Sequence, residues 1–235
     1  MENEFFKKLK EWLDKVNNNE NINDIILEKR FFTRDNDGNY YINEDNEKEL
    51  KVLFQSRVCF IGDNPGKNEK NNYLYFYNNT LDKRTAGYKI NQVLNEFNGN
   101  SFFYFNKCLI STNRTSDLTL KNIESTKTLV CEFLNLINKH NTNLVFMFLG
   151  LNKKFARIYN ELSNETLRQS ILYYHPCSYK FKLKSNDLIC NKFIDIFSQD
   201  DFKYKNFMMS DLLNSNDDND KDDGDDGLAS CPVIV

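Results

Sequence analysis

Proline is almost missing from this chain, with three in 235 residues, and glycine is scarce at eight. A chain so poor in both is neither collagen-like nor a low-complexity linker, and each Pro or Gly it keeps marks a place where the backbone needs one. Histidine is scarcer still, at His140 and His175 only. The six cysteines, Cys59, Cys108, Cys131, Cys177, Cys190 and Cys231, form no CxxC pair, which argues for reduced thiols rather than a disulfide framework or a zinc knuckle. No apolar run approaches the roughly 20 residues that span a bilayer. The opening MENEFFKKLKEWL lacks the apolar core of a secretory signal. These absences give the expectation of a soluble intracellular protein with no membrane partner, cytoplasmic in a bacterium or virus and nuclear in a eukaryote.

What is abundant is aromatic mass. Phe alone accounts for 20 residues, and hydrophobic residues make up 40%, enough to fill a real core. The net charge of −3 is misleading, because residues 214–227 hold seven Asp and one Lys and the rest of the chain carries +3. A body of that charge permits a nucleic-acid partner without demanding one. The acidic block has nothing apolar to bury and is expected to be disordered.

Phe5, Phe6, Leu9, Trp12, Leu13 and Val16 recur at helical spacing, so residues 3–16 read as an amphipathic helix. A polar break follows at 17–23, then a continuation of helix over 24–30, a turn at Asp35–Asn39 and a short helix over 47–54. Four apolar runs then end at polar or glycine residues: Val58–Ile61 at Gly62, Phe102–Phe105 at Asn106, Leu144–Leu149 at Gly150 and Ile171–Tyr174 at His175. Helical patterns at 87–97, 120–138, 152–162 and 187–197 alternate with them. Strand alternating with helix gives an α/β fold, a three-layer α/β/α arrangement around a mostly parallel four-stranded sheet. In such sheets ligands bind beyond the carboxyl ends of the strands, where GDNPG (62–66), Asn106 and HPCSY (175–179) would all lie.

A strand running into G-x-N-P-G, followed later by a strand running into H-P-x-S, resembles the two active-site loops of the uracil-DNA glycosylase superfamily. FFYFNKC resembles that family's strand ending in a base-reading Asn. The helix, loop and strand of CEFLNLINKHNTNLVFMFLG and the helix start TAGYKINQVL are similar as well. The likeness covers about residues 57–198. It divides the chain into an N-terminal helical extension (1–56) packed on the domain, a glycosylase-like domain (57–205) and an acidic tail (206–235).

The resemblance implies a DNA glycosylase that swings a base out of the stack and hydrolyses its bond to deoxyribose, the base being uracil or a related modified pyrimidine. It implies Asp63 or Asn64 as the group that activates water, the two unranked, and His175 as donor to the base carbonyl on which charge collects. Gly62, Phe76 and Asn106 would hold the base, by close approach, stacking and an amide that donates and accepts. Pro65, Gly66, Cys177, Ser178, Tyr179 and Lys180 would meet DNA, partly through backbone amides on phosphate and partly as a wedge. Iron–sulfur members bind a cluster through four cysteines. Cys108 and Cys131 stand near two of those places but the first pair is missing, so no metal or cofactor is expected and both read as buried thiols. No lysine in the two loops offers an amine nucleophile, so strand cleavage is not expected. A monomer is expected.

Plainer readings stand beside these. NPG could be only a tight turn, His140 a surface residue, and Asp117, Glu124 and Glu69 surface charges, although Glu69 follows Pro-Gly at the spacing iron–sulfur members use, which implies a site role as its alternative. The alternative function is a glycosylase-fold protein of weak or no activity, acting as a DNA- or protein-binding module, with the tail or the N-terminal helix meeting a protein partner. A nucleotide-binding domain is disfavoured, because neither GxxxxGK[ST] nor GxGxxG occurs.

Overall fold

A computed structural model of the chain describes residues 2–76, 80–81, 83–95, 102–150, 153–173 and 175–177. The expected helix at 187–197, the tail, and Ser178, Tyr179 and Lys180 lie outside the described residues.

Helix α1 (Glu2–Asn17) buries Phe5, Leu9, Trp12, Leu13 and Val16, the stripe that its periodicity announces. Beyond the polar break the chain departs from expectation. Residues 24–30 are not helical. Ile25 bridges Ile110, Ile26 N–H donates to Leu109 O at 2.9 Å, and Ile25, Ile26 and Leu27 are all fully buried. A surface helix buries one stripe. Three successive buried side chains suit an extended segment that slots between neighbours. A hairpin of β1 (Thr33–Arg34) and β2 (Tyr40–Tyr41) follows, its turn made by Gly38 at φ 88°. The expected helix at 47–54 is two pieces, α2 (Glu44–Leu50) and α3 (Val52–Gln55). α2 starts earlier than expected because Asn43 and Asn46 cap each other's backbone amides.

The main sheet holds β3 (Val58–Gly62), β4 (Phe102–Asn106), β5 (Val145–Leu149) and β6 (Ser170–Tyr173), every pair parallel, in the order β4-β3-β5-β6. Every residue of β3 and β5 is buried. Successive side chains face opposite sides, so both faces of the sheet are covered. The connections carry α4 (Lys67–Asn72) and α5 (Ala86–Asn95) between β3 and β4, and α6 (Leu120–His140) between β4 and β5. The stretch expected as one helix over 152–162 is instead a 3-10 turn and α7 (Ala156–Tyr159), followed by α8 (Asn164–Arg168) before β6. Asn135 of α6 explains the break, since its Oδ1 accepts Ser163 N–H at 3.0 Å and Thr166 Oγ1–H at 2.8 Å and draws the chain in.

α1 packs on α6, with Trp12 Nε1–H donating to Leu129 O at 2.8 Å, and the buried apolar residues run as one cluster from α1 through the sheet. His140, expected at the surface, is packed edge-on to Phe5 and Phe54 at the end of α6. Its Nε2 is buried without a hydrogen-bond partner among the described residues, and burial lowers its pKa below the usual 6.5. Among the described residues no helix is long and apolar enough to cross a membrane.

Chain order in the sheet reverses between β3 and β5: β4 lies to one side of β3, and β5 then β6 to the other. In open parallel sheets such a reversal is where ligands bind, in a crevice beyond the carboxyl ends of the flanking strands, here β3 and β5. Asp63 and Gly150 directly follow those two strands.

Candidate active site

The register of β3 and β4 sets Gly62 opposite Asn106. A Cβ on Gly62 would lie 2.6 Å from Asn106 Oδ1 and 2.8 Å from Phe76 Cζ, so only glycine fits under this amide and this ring. The structure therefore gathers all three expected base-binding residues. Asn106 is 1% exposed, and its Nδ2 has no hydrogen-bond partner among the described residues. A buried donor left unpaired costs about 1–3 kcal/mol, which an acceptor on a ligand would recover. Gly62→Ala should displace the ring and the amide, both ends of side chains, more than it disturbs the strand. The expected outcome is a small change in melting temperature, read by a thermal melt, beside a rearranged Phe76 ring and Asn106 amide.

On the other side of β3 lies a charged group. Asp63 Oδ1 sits 2.5 Å from Lys107 Nζ, an ion pair by distance rather than an aligned hydrogen bond. Lys107 is fully buried. Its ammonium also donates to Leu149 O (2.8 Å) and Gly150 O (3.2 Å) and stands over the Phe155 ring at 4.7 Å. One lysine directly after β4 thus binds the carboxyl ends of β3 and β5 together. Gly150, at φ 85°, takes the turn out of β5, and a Cβ there would meet Asp63 Oδ1 at 3.5 Å and His175 Cβ at 3.7 Å. The aspartate carboxylate and the histidine Cβ therefore flank this glycine, at the reversal of sheet order, and the carboxylate is felt by the imidazole.

The state of His175 follows from its neighbours. Burial lowers its pKa below the usual 6.5, offset in part by the Asp63 carboxylate, with Lys107 and Lys89 adding to the depression. Cys177 N–H donates to His175 Nδ1 at 3.3 Å, which leaves the proton of the neutral ring on Nε2. A neutral imidazole with its proton on Nε2 is the result.

Asn64 is turned elsewhere. Its Nδ2 donates to Thr112 Oγ1 at 2.8 Å and lies 3.3 Å from both Ile110 O and Pro65 O, while its Oδ1 is buried and unpartnered. It staples the loop to the segment after β4. The Gly66 amide, expected on phosphate, is donated to Glu69, and Pro65 has no N–H to give. Cys177 is half-buried, with its Sγ donating to Arg84 O at 3.2 Å.

Two residues of the site were given no place among the expected site residues. Lys107 is one: it follows Asn106 directly, and the register that pairs Gly62 with Asn106 carries it to Asp63. Glu69 is the other. Far from being a surface charge, it accepts from both Gly66 N–H and Phe76 N–H, and burial pushes its pKa up to about 7. Cys108 and Cys131 are buried free thiols. Among the described residues no group of three or more His, Cys, Asp or Glu is placed to hold a metal ion. No known family's sequence model matches the chain, and no curated protein matches it in sequence either.

Proposed function

We propose that the protein is a monofunctional DNA glycosylase that hydrolyses the bond between an extruded pyrimidine, uracil or a close relative, and deoxyribose. The observation that carries this reading is that Asp63 and His175 both flank Gly150 where the sheet order reverses between β3 and β5. One residue away, over Gly62, lie a ring and a buried amide with an unclaimed hydrogen.

Each group has a task in the reaction. The C1′–N1 bond breaks with its electron pair going to the base, and the charge collects on a base carbonyl oxygen. The Nε2–H of neutral His175 is suited to donate to that oxygen. The sugar is left cationic at C1′. Asp63 offsets that charge and orients the water that adds there, taking up its proton. Asn106 Nδ2 donates to the base edge and Phe76 stacks on its face. Water is the only co-reactant the reaction needs.

Lys107 does not change this to a lyase. Its ammonium is fully buried and engaged by a carboxylate and two carbonyls, so no lone pair is offered to the abasic aldehyde. Incubation with single- and double-stranded oligonucleotides containing uracil should create abasic sites that break only on later treatment with alkali. Borohydride added during turnover should trap no covalent protein–DNA adduct. DNA that binds but yields no abasic site from any pyrimidine tested would overturn the reading in favour of a binding module.

A further inference from the structure

Phe76 holds its ring over Gly62 from an awkward backbone. Its φ is 49° and that of Tyr73 is 52°, left-handed values that bulky aromatic residues avoid. Such a turn persists only where its surroundings over-determine it.

Most of those surroundings come from the N-terminal segment, outside the stretch that resembles a glycosylase. Glu28 Oε2 accepts Tyr75 N–H at 2.7 Å, Lys29 N–H donates to Tyr73 O at 2.8 Å, and the Tyr75 hydroxyl donates to Ile26 O. The same segment is anchored behind. Ile26 N–H donates to Leu109 O, Ser111 N–H to Asp24 O at 3.0 Å, and Ile25 bridges Ile110. From within the loop, Glu69 takes the Phe76 amide and Asn91 Nδ2 donates to Phe76 O at 3.1 Å.

We propose that residues 24–29 are a strap that presets Phe76 for stacking on the extruded base, with Glu28 as its positioning residue. This rests on the glycosylase reading for what Phe76 stacks upon, but not for the strap itself.

Glu28 is otherwise hard to explain. It is a carboxylate 5% exposed with no cation hydrogen-bonded to it, since Arg30 stands over the Phe31 ring. A carboxylate accepts amide hydrogens more strongly than a neutral oxygen does. Desolvation raises its pKa to about 7, eased by the Tyr75 and Arg30 amides and by the charges of Arg30 and Lys29. Tyr75, Tyr104 and Glu69 are the other titratable groups around it, and Glu28 adds to the raised pKa of Glu69. Glu69 spends both oxygens on amides, so a proton there removes an acceptor.

An opening of the turn that solvates Glu28 and Glu69 returns both to their ordinary range, so acidification through about pH 7 should favour the closed turn even though a proton on Glu69 removes an acceptor. It should not unfold the protein through these groups. A carboxyl whose pKa is higher folded than unfolded stabilises the fold as pH falls from about 7 towards its ordinary 4.5. His140 and His175, depressed below 6.5, oppose this.

The experiment compares wild type, Glu28→Leu and Glu28→Gln as full chains, by hydrogen exchange at the Tyr75 and Phe76 amides and by kinetics on uracil-containing DNA. In Glu28→Leu the protection of both amides and 1/KM should fall about tenfold, the size of one charge-assisted hydrogen bond, with kcat little changed. Glu28→Gln keeps an acceptor and should recover most of both at pH 7.5. Wild-type protection at Phe76, corrected for intrinsic exchange, should hold or rise as pH falls through about 7. Unchanged protection and KM in a folded Glu28→Leu would overturn the strap. Lost protection in a protein whose wild type excises nothing would leave the strap standing and remove the glycosylase reading instead.

Discussion

Asp63→Asn is expected to lower kcat by roughly 10²–10⁴, the range for a positioned acid or base, with KM for DNA nearly unchanged. Asn64→Ala should do the reverse in kind. It should cost stability, about 1–3 kcal/mol for the hydrogen bonds to the 110–112 segment, and leave kcat within a few fold. The two residues are adjacent in GDNPG and chemically close, yet the backbone sends them apart. Asp63 goes to Gly150 and His175, and Asn64 goes to Thr112 Oγ1. Only Asp63 brings negative charge to the place where a sugar cation would form. Single-turnover kinetics on a uracil oligonucleotide, with a melt of each variant, separates the effects. A large kcat loss in Asn64→Ala with a small one in Asp63→Asn would move the water to Asn64. Small losses in both would leave no glycosylase.

That ranking was open in the sequence for a physical reason. Hydrophobic runs report where strands end, so Gly62, Asn106, Gly150 and His175 could be set at one edge from pattern alone. The alternation of burial says nothing about which neighbour a strand-end side chain meets, because that depends on sheet order and register. Strand order β4-β3-β5-β6 places Asp63 against β5, and the Gly62–Asn106 register brings Lys107 to it. The strap was illegible for a related reason. Ile25, Ile26 and Leu27 fit the start of a helix as well as an extended run, and the choice was made by Leu109 and Ile110, some 80 residues away. Glu28 and Glu69 look like any surface glutamate until the turn at Tyr73–Phe76 offers them amides. His140 looked solvated because it stands in a polar loop sequence, and Phe5 and Phe54 cover it from elements about 135 and 86 residues earlier. Local pattern thus located the site, and contacts between distant segments gave its charges their partners.

Lys107→Met should be the most damaging single change to stability. It leaves the Asp63 carboxylate, 13% exposed, without its counter-charge, and takes a donor from Leu149 O and Gly150 O at the end of β5. Breaking a buried pair by removing one partner costs about 3–5 kcal/mol. For a chain of this size that corresponds to a melting temperature lower by roughly 6–20 °C. The double change Lys107→Met with Asp63→Leu should recover much of this, because replacing both members of a buried pair by apolar groups is often neutral. Activity should not return with stability. The pair is costly to bury and could be replaced for folding alone, so its presence at the β3/β5 crevice makes sense if a charged carboxylate is wanted there. A double-mutant cycle on melting free energy with kcat measured alongside tests both halves of this. If Lys107→Met melts with wild type, the lysine is no anchor. If the apolar double variant regains excision together with its fold, Asp63 is not the group that acts on water.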